Sequence, residues 1–338
     1  MMNLYNDDGW LNVAGINALK YPFVFCLGGR GIGKTYGNAD AICNQYRGNV
    51  LFLRRTKTEF DIVTSSAANT FSEYNIQTGH DLHFENDVGY KMLVEGGETI
   101  GVAAALSTFS NLRGGGFGEL QINMVIYDEF IPESHKNKIR NECDVLLNMY
   151  ETINRNRELF GRDPLKLRCY SNSTDISNPV FMGLGLVTMA EKMRRKGREM
   201  ITDEKRGVAL IMCNNSPISQ RKRETALYRL SERNKSFFEM AIENKFDNGL
   251  YPATPRKLIE YRCICNVGEI SIYQHKSRNM WYVSPTHQSA KINYTATDTD
   301  LESFRMRYYQ FGERYYDRQI EFEDDITQLL FLKYLKII

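Results

Sequence analysis

Residues 23–35 read F-V-F-C-L-G-G-R-G-I-G-K-T, and this stretch decides the expected fold. Its first five residues are apolar and predict a buried strand, and residues 28–35 fit the pattern G-x-x-x-x-G-K-[ST]. Residues 35–46 can form a helix whose first backbone N–H groups would point at an anion in the loop. The stretch therefore predicts a strand, a phosphate-binding loop and a helix, in preference to a simple tight turn.

Each residue type in this loop has a physical role. Glycine lets the backbone wrap phosphates without a Cβ clash, Lys34 places a positive charge on the β and γ oxygens, and Thr35 offers a hydroxyl to Mg²⁺. For Arg30 three roles stay open, namely contact with the phosphates, an ion pair with Glu129, or contact with another subunit. We expect ATP to contact Gly28, Gly29, Arg30, Gly31, Ile32, Gly33, Lys34 and Thr35.

A second apolar strand, predicted at residues 122–130 (I-N-M-V-I-Y-D-E-F), ends in two adjacent carboxylates. Two acids at the end of a buried strand repel each other and need a cation or an ordered water nearby. With the phosphate loop on the neighbouring strand, Asp128 would bind Mg²⁺ together with Thr35, and Glu129 would polarise the attacking water. Because a kinase must exclude that water, the pair favours ATP hydrolysis. The alternative is a strand that merely ends in surface acids.

Two further segments carry candidate site residues. A strand predicted at residues 165–170 stops at S-N-S-T, where Asn172 either senses the γ-phosphate or belongs to an ordinary turn. A helix predicted at residues 143–155 ends close to Arg155 and Arg157.

Basic residues predominate between Lys192 and Lys235, and they form either a solvated helical face or a surface for a polyanion.

Composition limits the class of protein. The 338 residues suggest two domains, and 42% hydrophobic residues are ample for their cores. No apolar run approaches the roughly 18 to 20 residues of a membrane span, and the N-terminus lacks the form of a signal peptide. The seven cysteines are scattered and odd in number, so we expect reduced thiols, no zinc site and a soluble intracellular protein.

The motifs GGRGIGKT, LRRTK, VIYDEF, NRNRE and SNSTDISNP occur in this order along the chain. In order and spacing they resemble the DNA-packaging ATPases of phi29-type podophages, small relatives of the large terminase subunits. The resemblance is tight over residues 1–190 and looser beyond. It implies an α/β P-loop NTPase of the ASCE class (additional strand, catalytic glutamate) with a mainly parallel sheet, using ATP and Mg²⁺.

The resemblance also implies partners. The family forms a ring, a homopentamer in members of this type, which docks on the portal of an empty capsid and drives double-stranded DNA inward. In some phages a structural RNA bridges ring and portal. We therefore expect the protein in the host cytoplasm, attached transiently to the procapsid, with no membrane partner and no place in the mature virion.

Arg155 falls where the family has its arginine finger, which completes the site of the neighbouring subunit. If the helix continued, Arg157 would lie about 200° round the axis, so only one of the two could face that neighbour. Without the resemblance, Arg155 would be interpreted as a surface arginine at a helix end.

DNA contact should be with phosphates, and the candidate residues are Lys57, Arg113, Lys136, Lys138 and Arg140.

We expect an ATPase domain at residues 1–190, a basic helical linker at 191–249 and an α+β RNase H-like domain at 250–338. A nuclease of that fold needs about three clustered carboxylates for two metals. The acids in the last domain do not form a recognisable cluster, so we expect no nuclease activity; they are Glu269, Asp298, Asp300, Glu313 and Asp317. The rival functions are a cutting terminase or a P-loop helicase, and a nucleotide-dependent assembly switch.

Overall fold

The computed structural model describes residues 2–112, 120–132, 139–173, 175–213, 216–222, 224–231 and 253–337. The strands are, in chain order, β1 Phe23–Gly28, β2 Val50–Arg54, β3 His83–Asn86, β4 Lys91–Glu95, β5 Glu98–Ala105, β6 Met124–Asp128, β7 Lys166–Ser171, β8 Met200–Asp203, β9 Val208–Cys213, β10 Tyr261–Val267, β11 Ile270–His275, β12 Trp281–Ser284, β13 Asn293–Tyr294 and β14 Ile320–Phe322.

The helices within the described residues are α1 Val13–Ala18, α2 Lys34–Asn44, α3 Lys57–Val63, α4 Ser72–Thr78, α5 Glu142–Asn154, α6 Pro179–Leu184, α7 Val187–Arg195, α8 Pro217–Lys222, α9 Ala226–Ser231, α10 Asp298–Arg307, α11 Phe311–Tyr316 and α12 Asp325–Tyr334. A short 3₁₀ helix, Arg157–Phe160, follows α5. Among the described residues no helix combines the length and the apolar character needed to cross a membrane.

The chain folds as two compact units, each assembled from separate segments. The first unit comprises Met1–Ile139, Val145–Thr174 and Gly197–Phe246, and the second comprises Arg140–Asp144, Asp175–Lys196 and Asp247–Ile338. The division into domains at residues 190 and 249 stays a prediction from the sequence.

The first unit is built on a nine-stranded sheet in the order β3-β4-β5-β2-β6-β7-β1-β9-β8. The six central strands, from β5 to β9, pair in parallel, and antiparallel strands extend the sheet at both sides. Strands β6 and β9 are buried along their whole length, as expected for parallel strands covered on both faces. The predicted mainly parallel α/β fold is confirmed.

Two sequence predictions about this sheet are wrong. Residues 191–249 were predicted to be helical, but Met200–Asp203 and Val208–Cys213 are strands of the sheet. The apolar run Val208–Cys213 is fully buried beside β1, whereas the lysines and arginines that suggested a helical face flank the strands. In addition, β6 is not the neighbour of β1, because β7 lies between them.

The second unit contains a five-stranded sheet in the order β13-β10-β11-β12-β14. Strands β10, β11 and β12 form an antiparallel meander, and β13 pairs in parallel with β10. Aromatic rings on α10, α11 and α12 pack together, with Phe311 in contact with Phe304 and Phe331 at centroid distances of 6.1 and 5.7 Å. The unit therefore has a core of its own, to which the aromatic rings of these three helices contribute.

Candidate active site

The loop between β1 and α2 has the conformation that its glycines permit. Gly31 and Gly33 have φ angles of 62° and 98°, in the left-handed region where a Cβ is unfavourable. Gly28 lies so close to β9 that an added Cβ would come within 2.6 Å of the Cβ of Cys213. Gly33 caps α2 without a side-chain hydrogen bond. The first backbone N–H groups of α2 therefore remain available to an anion.

Lys34 is buried inside this loop, with 5% of its surface exposed. Its Nζ donates hydrogen bonds to the carbonyl oxygens of Gly28 at 2.8 Å and Gly29 at 2.7 Å. Burial lowers the pKa of Lys34, while the charges on Glu129 and Asp128 act to raise it. The ammonium is thus held by neutral carbonyls, and a phosphate in the loop would supply a counter-charge.

The other residues of the loop differ in exposure. Ile32 is completely buried and anchors the loop in the core, whereas Arg30 is exposed. Thr35 is half-buried in the first turn of α2. Thr35 and Asp128 offer the oxygen ligands that Mg²⁺ prefers, and Mg²⁺ commonly takes one or two carboxylates besides phosphate oxygens and water. Both residues therefore have the donor chemistry for Mg²⁺, and the described residues include no group of three or more His, Cys, Asp or Glu side chains that could hold a metal ion by themselves.

Asp128 is buried at the carboxyl end of β6 and forms an ion pair with Arg54. Nη1 of Arg54, the last residue of β2, lies 2.6 Å from Oδ2 of Asp128, and both side chains are nearly inaccessible to solvent. The Nε of Arg54 is buried without a hydrogen-bond partner. The sequence placed charge at the end of β2 but gave no sign of this pairing across 74 residues.

Glu129 follows β6 in a backbone conformation that is unusual for a residue with a side chain, at φ 55°. Such strain is found preferentially at functional sites. Asn172 holds the Glu129 carboxylate through its side-chain amide and through its backbone N–H, the latter at 3.2 Å. Burial and the charge of Asp128 raise the pKa of Glu129, and Lys34 opposes this shift. Asn172 therefore contacts Glu129, while its contact with a γ-phosphate stays a prediction.

Arg155 lies at the opposite edge of the sheet from the loop. It lines a cavity of about 800 Å³ together with Asn123 and Lys166, which stand at the starts of β6 and β7. The helix ends at Asn154 and does not continue to Arg157, because Arg155 and Asn156 have φ angles of 46° and 58°. A strand of five or six residues separates the two edges by roughly 16 to 20 Å.

Arg157 has a different environment from Arg155. Its Nη1 donates to Oδ1 of Asn123 at 2.7 Å and its Nη2 donates to the carbonyl of Ile122. Burial lowers the pKa of Arg157. Arg155 is exposed, whereas Arg157 is half-buried and bound to its own chain.

The candidate DNA contacts are distributed over both units. In the first unit, Lys57 begins α3 and forms an ion pair with Asp61 one turn later. In the second unit, Arg140 lies 3.9 Å from Glu302, and both are mostly exposed. Arg113, Lys136 and Lys138 lie outside the described residues.

Three of the acids considered for a nuclease have separate partners. Glu269 accepts hydrogen bonds at 3.0 Å from the backbone N–H groups of Val187 and Thr188, at the start of α7. Asp298 accepts from the backbone N–H of Asn141 at 2.6 Å. Asp300 accepts from the backbone and side chain of Thr295.

Lys222, at the end of α8, is a residue that the sequence did not single out for the site. Its Nζ donates a hydrogen bond to the carbonyl oxygen of Arg30 inside the phosphate loop. In the sequence Lys222 was only one member of the cluster Arg221-Lys222-Arg223. The separation of 192 residues along the chain explains why no local pattern indicates this contact.

Comparisons with known proteins agree with these features. Residues 10–322 match the family described as podovirus DNA encapsidation protein (Gp16). The chain is 26% identical over 306 residues to the DNA packaging proteins of Bacillus phages PZA and phi29, over 88% of this chain and 85% of each relative. Two solved structures are similar at 19% identity. One is the bacteriophage Phi-29 viral genome packaging motor assembly, with a TM-score of 0.65 over 99% of each chain. The other is the Phi-28 gp11 DNA packaging motor, with a TM-score of 0.64 over 98% of this chain and 99% of that chain. Because the family match extends over most of the chain, this protein belongs to the podovirus DNA encapsidation protein family.

Proposed function

We propose that this protein is an ATP-driven translocase of double-stranded DNA that packages a phage genome into the procapsid. The observation that carries the proposal is the meeting of Lys34, in its glycine loop, with Asp128 and Glu129 at the same edge of the sheet. The family match and the packaging proteins of related phages support the choice of DNA as the partner.

The loop binds ATP through its phosphates. The backbone N–H groups at the start of α2 and the Lys34 ammonium would hold the β- and γ-phosphates. Thr35 and Asp128 would hold Mg²⁺, which neutralises charge on the phosphate oxygens. Arg54 fixes the Asp128 carboxylate and balances its charge at the edge of the buried sheet.

Glu129 is the residue proposed to act on water. Its carboxylate is fixed by two hydrogen bonds from Asn172, so it can accept a proton or orient a water molecule in one direction. Burial raises the pKa of Glu129, which makes the carboxylate a stronger base than one in water. We propose that Asn172 also senses the γ-phosphate, because its amide connects Glu129 to the end of β7.

Arg155 cannot reach the phosphate loop of its own chain, because it lies at the other edge of the sheet. If Arg155 stabilises the transferred phosphoryl group, it must therefore do so in the site of a second copy. This geometry supports a ring in which Arg155 of one subunit completes the site of the next. We propose a homopentamer that docks at the portal in the host cytoplasm, with a packaging RNA as a further partner in some phages.

The second unit is proposed to dock to the portal, to the RNA or to DNA. Its meander β10-β11-β12 with β13 parallel to β10 supports an RNase H-like fold. Glu269 caps α7 and Asp300 binds Thr295, so these acids serve local structure. We propose that this unit has no nuclease activity, and metal-dependent cleavage of plasmid DNA that disappears in Asp298→Asn would contradict this.

The experiment that tests the function measures ATP hydrolysis with and without double-stranded DNA, and DNA uptake into empty procapsids. We expect stimulation by DNA that weakens as salt rises, because phosphate contacts release counterions. Lys34→Ala should abolish both hydrolysis and uptake. Hydrolysis that DNA stimulates without uptake would favour a helicase or a cutting terminase. Slow turnover that is insensitive to DNA would favour a nucleotide-dependent switch.

A further inference from the structure

The end of β9 brings a second lysine to the phosphate loop. Strand β9 runs parallel beside β1, and its last residue, Cys213, pairs in register with Gly28, where the loop begins. The end of β9 therefore lies beside the start of the loop. Helix α8 begins there, and its first residue, Pro217, packs against Gly9 near the start of the chain.

Lys222 ends α8 with its ammonium on the loop. Its Nζ donates to the carbonyl of Arg30, and a Cβ added to Gly31 would collide with the same ammonium. Lys222 is half-buried rather than fully exposed. The contact involves the middle of the loop, next to the carbonyls of Gly28 and Gly29 that hold Lys34.

The two lysines of the loop have carbonyl oxygens, rather than carboxylates, as their hydrogen-bond partners. Lys34 and Lys222 are bonded to carbonyl oxygens, and within the described residues no carboxylate forms an ion pair with Lys222. Burial lowers the pKa of Lys222, and the nearby charge of Lys34 lowers it further. Two ammonium groups that share one loop repel each other, and an anion between them would remove that repulsion.

We propose that Lys222 is a phosphate-binding lysine that recognises the terminal phosphate of a bound nucleoside triphosphate. This inference rests on the proposed ATPase function. The carbonyls of Gly28, Gly29 and Arg30 are consecutive, and Lys34, held by the first two, reaches the β- and γ-phosphates in loops of this kind. An ammonium held by the third carbonyl adds a second cation to this loop, and the terminal phosphate, which carries the most negative charge of the chain, is the group that it would attract most strongly.

The proposed contact has a consequence for nucleotide choice. ADP lacks the phosphate that Lys222 would bind, so the lysine would distinguish ATP from ADP. A hydrogen bond between an ammonium and a phosphate is among the strong ones in proteins.

The test compares the affinities of full-length variants for a nonhydrolysable ATP analogue and for ADP, by calorimetry. Lys222→Met keeps the length of the side chain without its charge, and it should weaken the analogue about ten- to a hundredfold while ADP changes less than about threefold. Lys222→Arg should keep most of the affinity. Arg221→Met, on the adjacent exposed residue, is the matched control and should change neither. Equal weakening of both nucleotides, or of neither, in folded Lys222→Met would overturn the proposal.

A second measurement does not depend on any variant. Acylation of lysines in the wild-type protein, located by mass spectrometry, should show Lys222 protected by the ATP analogue and reactive with ADP. Equal reactivity in both would also contradict the inference. Should the wild type bind neither nucleotide, the proposed function itself fails. Tight ATP binding that Lys222→Met leaves unchanged removes only the role of Lys222.

Discussion

Two buried cations stand at opposite edges of the first unit, and their different roles cannot be inferred from burial alone. Lys34 is buried at the carboxyl edge of the sheet and donates to the carbonyls of Gly28 and Gly29. Arg168, completely buried in β7, donates at the other edge to the carbonyls of Asn17, Leu19, Tyr21, Pro22 and Leu167. Burial lowers the pKa of both, that of Arg168 to about 10.

The difference lies in what else can reach each cation. All three nitrogens of the Arg168 guanidinium are engaged by the end of α1 and by the chain that connects it to β1, so the residue holds that connection in place. Lys34 lies under the glycine loop, and the first backbone N–H groups of α2 beside it are available to an anion. Its ammonium can therefore exchange a carbonyl partner for a phosphate oxygen. A saturated buried cation is structural, whereas one beneath an open loop can bind an anion.

The largest effect on the rate of ATP hydrolysis should come from removing Arg155, which lies at the sheet edge opposite the phosphate loop. Arg155→Ala should bind ATP but hydrolyse it about 10³- to 10⁵-fold more slowly, because an arginine finger contributes that much. Mixing this variant with Glu129→Gln should partly restore turnover, since an intact Arg155 then meets an intact Glu129 at some subunit contacts. Steady-state hydrolysis over a range of mixing ratios measures this.

The control for this mixing experiment is Arg162→Ala, which removes another cation from the same cavity. It should keep nearly full activity when assayed alone. Absence of restoration at every ratio, with both single variants folded and assembled, would rule out the assignment of Arg155 to a neighbouring site.

The next prediction concerns Lys34, whose removal should reduce ATP affinity without reducing the free energy of unfolding. Lys34→Met should weaken ATP by at least about a hundredfold, because a charge-assisted contact is lost and no other group replaces it. The free energy of unfolding should change by less than about 1 kcal/mol, since the variant also removes the cost of burying a charge. Calorimetry and denaturant unfolding provide the two numbers. Normal ATP affinity in this variant would make Lys34 a structural residue like Arg168.

Arg168→Met should show the reverse behaviour. It leaves several buried carbonyls without a donor, so the first unit should lose about 3 to 5 kcal/mol of stability. The two tryptophans allow this to be measured, because Trp10 belongs to the first unit and Trp281 to the second. In a Trp281→Phe background, fluorescence during denaturation reports on the first unit. Lys166→Met, on the same strand, is the control and should cost far less.

The sequence predicted what local pattern determines. The strand, loop and helix of residues 23–46 appear as β1 and α2, and the apolar run before Asp128 appears as β6. These features depend on residues close together in the chain, where glycine positions and apolar runs are informative.

Features that depend on distant partners were missed. Val208–Cys213 was predicted to be helical because its basic flanks dominated the composition, although its burial beside β1 makes it a strand. The pairing of Arg54 with Asp128 spans 74 residues and that of Lys222 with Arg30 spans 192. The order of the strands, which inserts β7 between β1 and β6, likewise follows from tertiary packing rather than from any short segment.

The smallest expected effect on the rate of hydrolysis is that of Arg157, and it distinguishes this residue from Arg155. Arg157 is bound to Asn123 and Ile122 of its own chain, so Arg157→Ala should cost about 1 to 2 kcal/mol of stability in the same fluorescence assay. The rate of hydrolysis should change less than about threefold, because this side chain is already engaged at its own edge. A loss of rate as large as that of Arg155→Ala, without loss of stability, would exchange the roles of the two residues. The 3₁₀ turn would then have to release Arg157 from Asn123 whenever subunits meet.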